Sequence, residues 1–399
     1  GSGGSSGGTV AGGGGTGGEA TAAGSDGPSP CAAPSTEVGV TDDTITLGGV
    51  FQLSGPVTGF AEQFLTGVRA KLAQANGTGG VCGRRIEYLS RDDGFDAARN
   101  ASQTRDLIPK VLAITGSFST VDNGGATALA GTNVPDVSVA GTPERFNLPN
   151  HVSHNHFPSV NTPFPEFAHL QAQGVKTAVL VYVSLASARG LMDTYQAVLA
   201  KHGIQVVKRV ELSPTQFSYD ATAREVANSG AEVMYFLHEL NAASSMAQAL
   251  ANVPHKLRYP IFSSFSYGKN FLELAGAAAE GMMTVLAFPP FEEAASNPPT
   301  QEFLKWLQQA APGANPTFDA LNGWTTTTLF LDALAAVPGP ITRDAVLAAL
   351  KAVGAFDGSG VWAPSMPNDK LSASCNVLMR VQGGKYVREA PARGFLCST

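Results

Sequence analysis

The sequence predicts an α/β protein built as two doubly wound, Rossmann-like lobes. Three observations lead there. The chain has 399 residues, 43% of them apolar, which exceeds what one core organises, since single cores stop growing near roughly 250–300 residues. From Thr44 onward, short β-branched runs alternate with amphipathic helical segments, the pattern of parallel sheets covered by helices. After residues 151–160 the alternation starts again, and two such series imply two lobes. Only 15% of residues are charged and the net charge is -6, with no basic run able to track a phosphate backbone. Nucleic acid is therefore not an expected partner. No stretch approaches the roughly 20 consecutive apolar residues that span a bilayer.

The first 30 residues include 13 glycines and have almost nothing to bury, so residues 1–36 are expected to be a disordered Gly/Ser-rich tether. A coil of that length has an r.m.s. span of about 30 Å. Gly1-Ser2-Gly3 alone would suit a cloning linker, but the interruptions by Thr, Ala, Glu19 and Asp26 favour a natural spacer like that following the lipidated cysteine of a bacterial lipoprotein. The anchoring cysteine is then expected ahead of Gly1. Of the four cysteines none forms a CxxC pair, which leaves zinc-ribbon and thioredoxin readings without support. The expected pairing is Cys31–Cys82 and Cys375–Cys397, each pinning a terminal segment to its lobe; four free buried thiols are the alternative.

In the first series, strand 44–51 leads into a helix carrying Phe60, Phe64, Val68 and Leu72 on one face. Strand 85–90, helix 95–108 and strands 111–115 and 137–140 follow. The second series comprises helix 161–173, strand 177–183 and a helix with Leu191, Tyr195, Val198, Leu199 and His202 on one face. Strand 205–211, helix 219–228, strand 233–237, helix 241–251 and strand 261–263 continue it. An extended run at 282–288 precedes helices 300–311, 318–336 and 341–353. Strands 377–382 and 385–388 flank Gly383-Gly384, a hairpin signature.

Catalytic motifs are missing. The one Gly-x-Ser-x-Gly match, Gly3 to Gly7, lies in the tether, where no strand and helix hold it; there is no P-loop, HExxH or dinucleotide fingerprint, so neither enzyme chemistry nor a cofactor is expected. The acid pairs Asp92-Asp93 and Glu292-Glu293 read as solvated. His151, His154 and His156 form the one candidate metal cluster, but no Cys, Asp or Glu completes it, and the preferred reading is a polar segment crossing between lobes, with no metal. Better suited to binding are five strand ends: Gly116 to Thr120, Gly141-Thr142-Pro143, Ser184 to Ser187, His238-Glu239 and Ser264 to Tyr267. Each alone reads as helix capping. Together they occupy the carboxyl ends of strands, where α/β sheets place ligands and helix N-termini offer free N–H groups.

Phe51-Gln-Leu-Ser-Gly-Pro56, the turn from Asn76 to Arg85, Arg91-Asp92-Asp93, Gly116-Ser-Phe-Ser-Thr120, Ala279-Glu-Gly-Met282 and Phe318-Asp-Ala320 occur in an order and spacing that resembles the branched-chain amino acid (type I) periplasmic binding proteins of ABC importers. The resemblance runs from about Thr44 to Lys385. It implies three crossings between lobes, near 154–159, 281–284 and 357–362, with lobe 1 at 37–156 and 284–360 and lobe 2 at 157–283 and 361–399. Ligand positions then fall on Phe60, Ser117, Phe118, Ser119, Gly141 and Thr142 in lobe 1, and on Ser187, His238, Glu239, Ser266 and Tyr267 in lobe 2. Ser187 departs from an aromatic position, and Ser266 from the acid that receives an amino acid's ammonium. The implied function is an extracytoplasmic, non-enzymatic solute-binding protein, monomeric and held at the membrane only through its lipid anchor. It would pass a carboxylate-bearing apolar or aromatic small molecule to a permease. An amino-acid or amide binder, a ligand-sensing receptor domain and an enzyme are the alternatives, in falling order.

Overall fold

A computed structural model describes residues 1, 30–55, 59–155 and 164–398. In chain order the first series runs β1 (Thr44–Phe51), α1 (Gly59–Gly77), β2 (Arg85–Asp92), α2 (Ala97–Leu107), β3 (Ala113–Ser119), α3 (Asn123–Leu129), β4 (Asp136–Ala140), α4 (Pro143–Phe146) and β5 (His151–Val152). The second runs α5 (Pro165–Ala172), β6 (Thr177–Val183), α6 (Ala186–Lys201), β7 (Gln205–Leu212), α7 (Asp220–Asn228), β8 (Val233–Leu237), α8 (Leu240–Ala251), β9 (Tyr259–Phe262), α9 (Lys269–Ala275) and β10 (Met283–Leu286). Three helices follow, α10 (Pro298–Ala310), α11 (Phe318–Ala335) and α12 (Arg343–Ala352), then β11 (Cys375–Gln382), β12 (Lys385–Ala390) and β13 (Leu396–Cys397).

The strands make two sheets. One is ordered β2-β1-β3-β4-β5 and is wholly parallel; the other is ordered β12-β11-β10-β9-β8-β6-β7, with β13 added against β11. In the second sheet β6 to β10 pair in parallel and β11 and β12 antiparallel. Both parallel parts share one order, with β1 between β2 and β3 and β6 between β7 and β8. In a doubly wound sheet that reversal opens a crevice at the carboxyl ends of the strands. The expected two-lobed α/β class is therefore the one observed.

Several details depart from the pattern read in the sequence. Strand β3 does not stop at Thr115: Gly116, at φ +71°, makes a bulge, after which pairing resumes through Ser119. The stretch expected to open a helix is thus the end of a strand. Met283–Leu286 pairs with β9 and β11, so the chain leaves the second sheet after Leu286 rather than at 281–284. Of the two acid pairs, Glu292-Glu293 keeps its access to water as expected, whereas Asp93 does not. Asp93 is fully buried, bonded to Asn100 and to the Phe95 N–H, while Glu292 accepts from Tyr267 and Glu293 from Arg388.

The crossings pack on one another. The Ala363 N–H donates to the Ala287 carbonyl at 2.7 Å, and Trp362 stacks on Phe288 with ring centroids 5.5 Å apart. His154, on the first crossing, meets Trp362 edge-on at 5.0 Å. His156 and the rest of that crossing lie outside the described residues, as does most of the tether. Among the described residues no cluster of three metal-ligating side chains occurs. His151 instead bonds Asp136, which Arg145 also grips at 2.7 Å.

Helices α1 and α11 touch through glycine. A Cβ on Gly67 would lie 1.7 Å from the Ala320 carbonyl oxygen, and one on Gly323 would lie 2.1 Å from that of Phe64. This close approach sets the first turn of α11, with Asp319, beside the second and third turns of α1, Phe64 to Gly67. Cys31 and Cys82 are bridged, as are Cys375 and Cys397, the latter pair directly opposed on β11 and β13.

Candidate ligand-binding cleft

Where the two switch points face each other lies a cavity of about 550 Å³, within the roughly 300–1,000 Å³ usual for small-molecule sites. From the first lobe Phe60, Gln63, Phe118, Thr120 and Asp319 line it. Opposite stand Ser187, Gln216, Tyr219, His238, Glu239 and Phe265. Phe60 reaches Phe118 at 4.9 Å and Phe265 across the cleft at 6.5 Å between ring centroids. These rings offer faces to an apolar or aromatic body.

Of the residues singled out from the sequence, Phe60, Phe118, Ser187, His238 and Glu239 are brought together here. The others do not line this cavity. The Ser117 hydroxyl accepts from the Val50 N–H inside the sheet, and that of Ser119 faces buried Asp93 and accepts from the Val121 N–H. The Gly141 N–H and the Thr142 hydroxyl both donate to Asp122, at 2.8 and 2.6 Å. A carboxylate of the protein itself thus occupies the donors that were expected to hold a carboxylate of the ligand. Ser266 is buried beneath the Tyr386 hydroxyl, which bonds its carbonyl, and Tyr267 lies among Phe288, Phe291 and Tyr386 with its hydroxyl on Glu292.

The polar groups that do face the cleft differ in how far they are already engaged. Glu239 caps α8, its two oxygens accepting from the N–H groups of Asn241 and Ala242 at 2.7 and 2.6 Å. His238 accepts the Glu239 N–H on Nδ1, so its neutral ring carries the proton on Nε2, which faces the Ser213 carbonyl without a well-formed bond. Burial holds its pKa below the ordinary histidine value. Burial beside Glu239 pushes the Tyr219 phenol up to about 12. No side chain caps α6 among the described residues, which leaves its first-turn N–H groups without an intrahelical partner, and Ser187 and Ala188 of that turn line the cavity.

Sequence reasoning missed Asp319, along with Gln63, Gln216 and Tyr219. Asp319 is 3% exposed, Oδ1 has no hydrogen-bond partner among the described residues, and burial alone raises its carboxyl well above the usual range. Its signal was present in Phe318-Asp319-Ala320, but an acid in a first helical turn also reads as a complement to the helix dipole.

A family model described as periplasmic binding protein matches residues 44–385. The chain belongs to the periplasmic binding protein family. Members of this family are binding proteins rather than enzymes. The Leu/Ile/Val-binding protein homolog 3 of Brucella melitensis is 23% identical over 203 residues, which are 48% of this chain and 54% of the relative. The match thus spans about half the length of that relative. A solute-binding protein of an R. palustris ABC transporter, solved in complex with benzoate, superposes with a TM-score of 0.72 at 20% identity, covering 89% of this chain and 96% of that one. A fatty acid ABC transporter substrate-binding protein from Thermomonospora curvata gives 0.70 at 18% identity, covering 90% and 94%. These likenesses establish the fold, that of a type I periplasmic binding protein. No helix of the described residues is long and apolar enough to cross a membrane.

Proposed function

We propose that this periplasmic binding protein works outside the cytoplasm as the capture component of an ABC importer, closing over a small carboxylate with an apolar or aromatic body and presenting it to a permease. The two lobes would be 37–156 with 284–360, and 157–283 with 361–399, the second crossing falling a few residues later. One observation carries the reading: a cleft of about 550 Å³ lined from both lobes by aromatic rings and by polar groups not fully engaged. The body lies on Phe60, Phe118 and Phe265. Its carboxylate meets the uncapped N-terminus of α6 at Ser187, where helix dipole and charge-assisted hydrogen bonds favour an anion. A ligand touching both lobes favours closure only through contacts it gains in the closed state.

Asp319 favours a second reading. An unpartnered carboxyl in the cleft is a ready counter-charge for an ammonium, which makes an amino acid the competing solute. A thermal-shift screen of amino acids, aromatic acids, amides and short carboxylates tests both, because a ligand at 100 times its Kd stabilises by about 2.7 kcal/mol. Stabilisation by aromatic or aliphatic carboxylates supports the first reading and by amino acids alone the second. Stabilisation by neither class contradicts both.

A further inference from the structure

Behind the cleft a second cavity of about 250 Å³ runs toward β8, α6 and β11. Phe118, Leu237 and Phe265 line both cavities and form the partition between them. Among the described residues lining the inner cavity, three side-chain polar atoms have no hydrogen-bond partner: the Tyr235 hydroxyl, Asn322 Oδ1 and Asn376 Oδ1. Their residues are 4%, 1% and 7% exposed. Folded proteins leave few buried polar groups unpaired, and a ligand that bonds these three would account for their convergence on one space.

We propose that this inner chamber is a second subsite, taking an uncharged, hydrogen-bonding ring or short chain at the far end of the solute, with Tyr235, Asn322 and Asn376 as its specificity residues. The inference rests on the cleft reading in one respect, that the solute enters past Phe118 and Phe265. Its chemistry follows from the lining. Among the described residues no lysine or arginine lines the chamber, so a carboxylate there would be desolvated without a counter-charge. The one acid among the described lining residues, Glu166, is bonded by Asn376 Nδ2 at 2.5 Å, and burial pushes its carboxyl up to about 7. With Nδ2 committed to Glu166, Asn376 presents an acceptor, as does Asn322 Oδ1, while Tyr235 can donate or accept. A hydroxyl or primary amide matches that set. The space suffices, because an apolar cavity of about 150 Å³ already holds a benzene ring.

The test uses the full chain with carbon-13-labelled methionine methyl groups, since Met192 lines the chamber. Phenol is the probe and toluene its counterpart without the hydroxyl. The expected result is a saturable shift of the Met192 signal, with phenol binding tighter than toluene by roughly fivefold to tenfold, the scale of one buried hydrogen bond. Tyr235→Phe should narrow that gap, and benzoate and benzylamine should leave Met192 unmoved. Equal binding of phenol and toluene, no saturable shift, or preference for a charged probe would overturn the proposal, and the wild-type comparison stands even if the variant misfolds. The two readings fail separately. A phenol site without capture of any screened solute leaves the chamber and removes the cleft reading; a captured solute with no phenol effect does the reverse.

Discussion

Replacing Asp319 with asparagine should stabilise the empty protein, increasingly so as pH rises. The carboxyl is buried, has an unpartnered oxygen, and is raised above its ordinary value by burial alone. Its folded pKa therefore exceeds its unfolded pKa. Between the two values the folded state binds more protons, and stability falls with rising pH. Below about pH 3 both states are largely protonated and wild type and Asp319→Asn should melt together, given an ordinary aspartate pKa near 3.9. At pH 8 the variant should gain about 1–2 kcal/mol, the lower part of the cost of an unsatisfied buried polar group, because the amide remains polar. With roughly 2.1 cal/mol/K of unfolding entropy per residue, that is a Tm rise of roughly 1–3 °C. Differential scanning calorimetry from pH 3 to pH 8 reads it. An equal or lower Tm for the variant at every pH would show that Asp319 is held by a stabilising partner and would remove it as a recognition residue. Isothermal titration supplies the other half, since an ammonium-bearing solute should lose affinity in Asp319→Asn while its des-amino analogue does not.

Three further outcomes are expected. Removing Cys31–Cys82 and Cys375–Cys397, which close loops of 51 and 22 residues, should cost about 4 and about 3 kcal/mol on the chain-entropy model, with both lobes still folded by circular dichroism; loss of either fold would refute this. His154 has no described hydrogen-bond partner and burial pushes it down to about 3, so the unfolded state binds the extra proton and stability should fall from about pH 6.5 toward pH 3. His154→Leu should flatten that acid limb by several kcal/mol at about 1.4 kcal/mol per pH unit, and an unchanged limb in denaturant titrations would contradict it. Glu239→Ala should lose about 0.5–2 kcal/mol as a missing cap without altering discrimination between an amino acid and its des-amino analogue. A lost preference in calorimetry would make Glu239 the ammonium partner.

The fold was legible because its signals are local. β-branched strands such as 177–183 and helix faces such as Phe60, Phe64, Val68 and Leu72 declare themselves by period, and the restart after residue 160 declares the second lobe. The two-residue strands β5 and β13 carry no period, and the bulge at Gly116 reads as a strand end. The cleft was legible only at element ends that the sheet topology brings together, namely Phe60, Phe118, Ser187, His238 and Glu239. It was misread where a hydroxyl has a choice of acceptor: nothing local shows that Thr142 gives its proton to Asp122, 20 residues earlier. Asp319 enters the cleft only because Gly67 and Gly323 let two distant helices touch. The inner chamber joins Tyr235, Asn322 and Asn376 from three separate elements and left no sequence signal.

The claim that a solute is captured between the lobes is tested most directly by hydrogen exchange with and without a saturating solute from the thermal-shift screen. The account predicts protection on both walls at once, in the first turn of α1 around Phe60 and at Ser187 to Arg189 and Asn241 to Ala243 opposite. Protection confined to one lobe, or lying away from these segments, would contradict it.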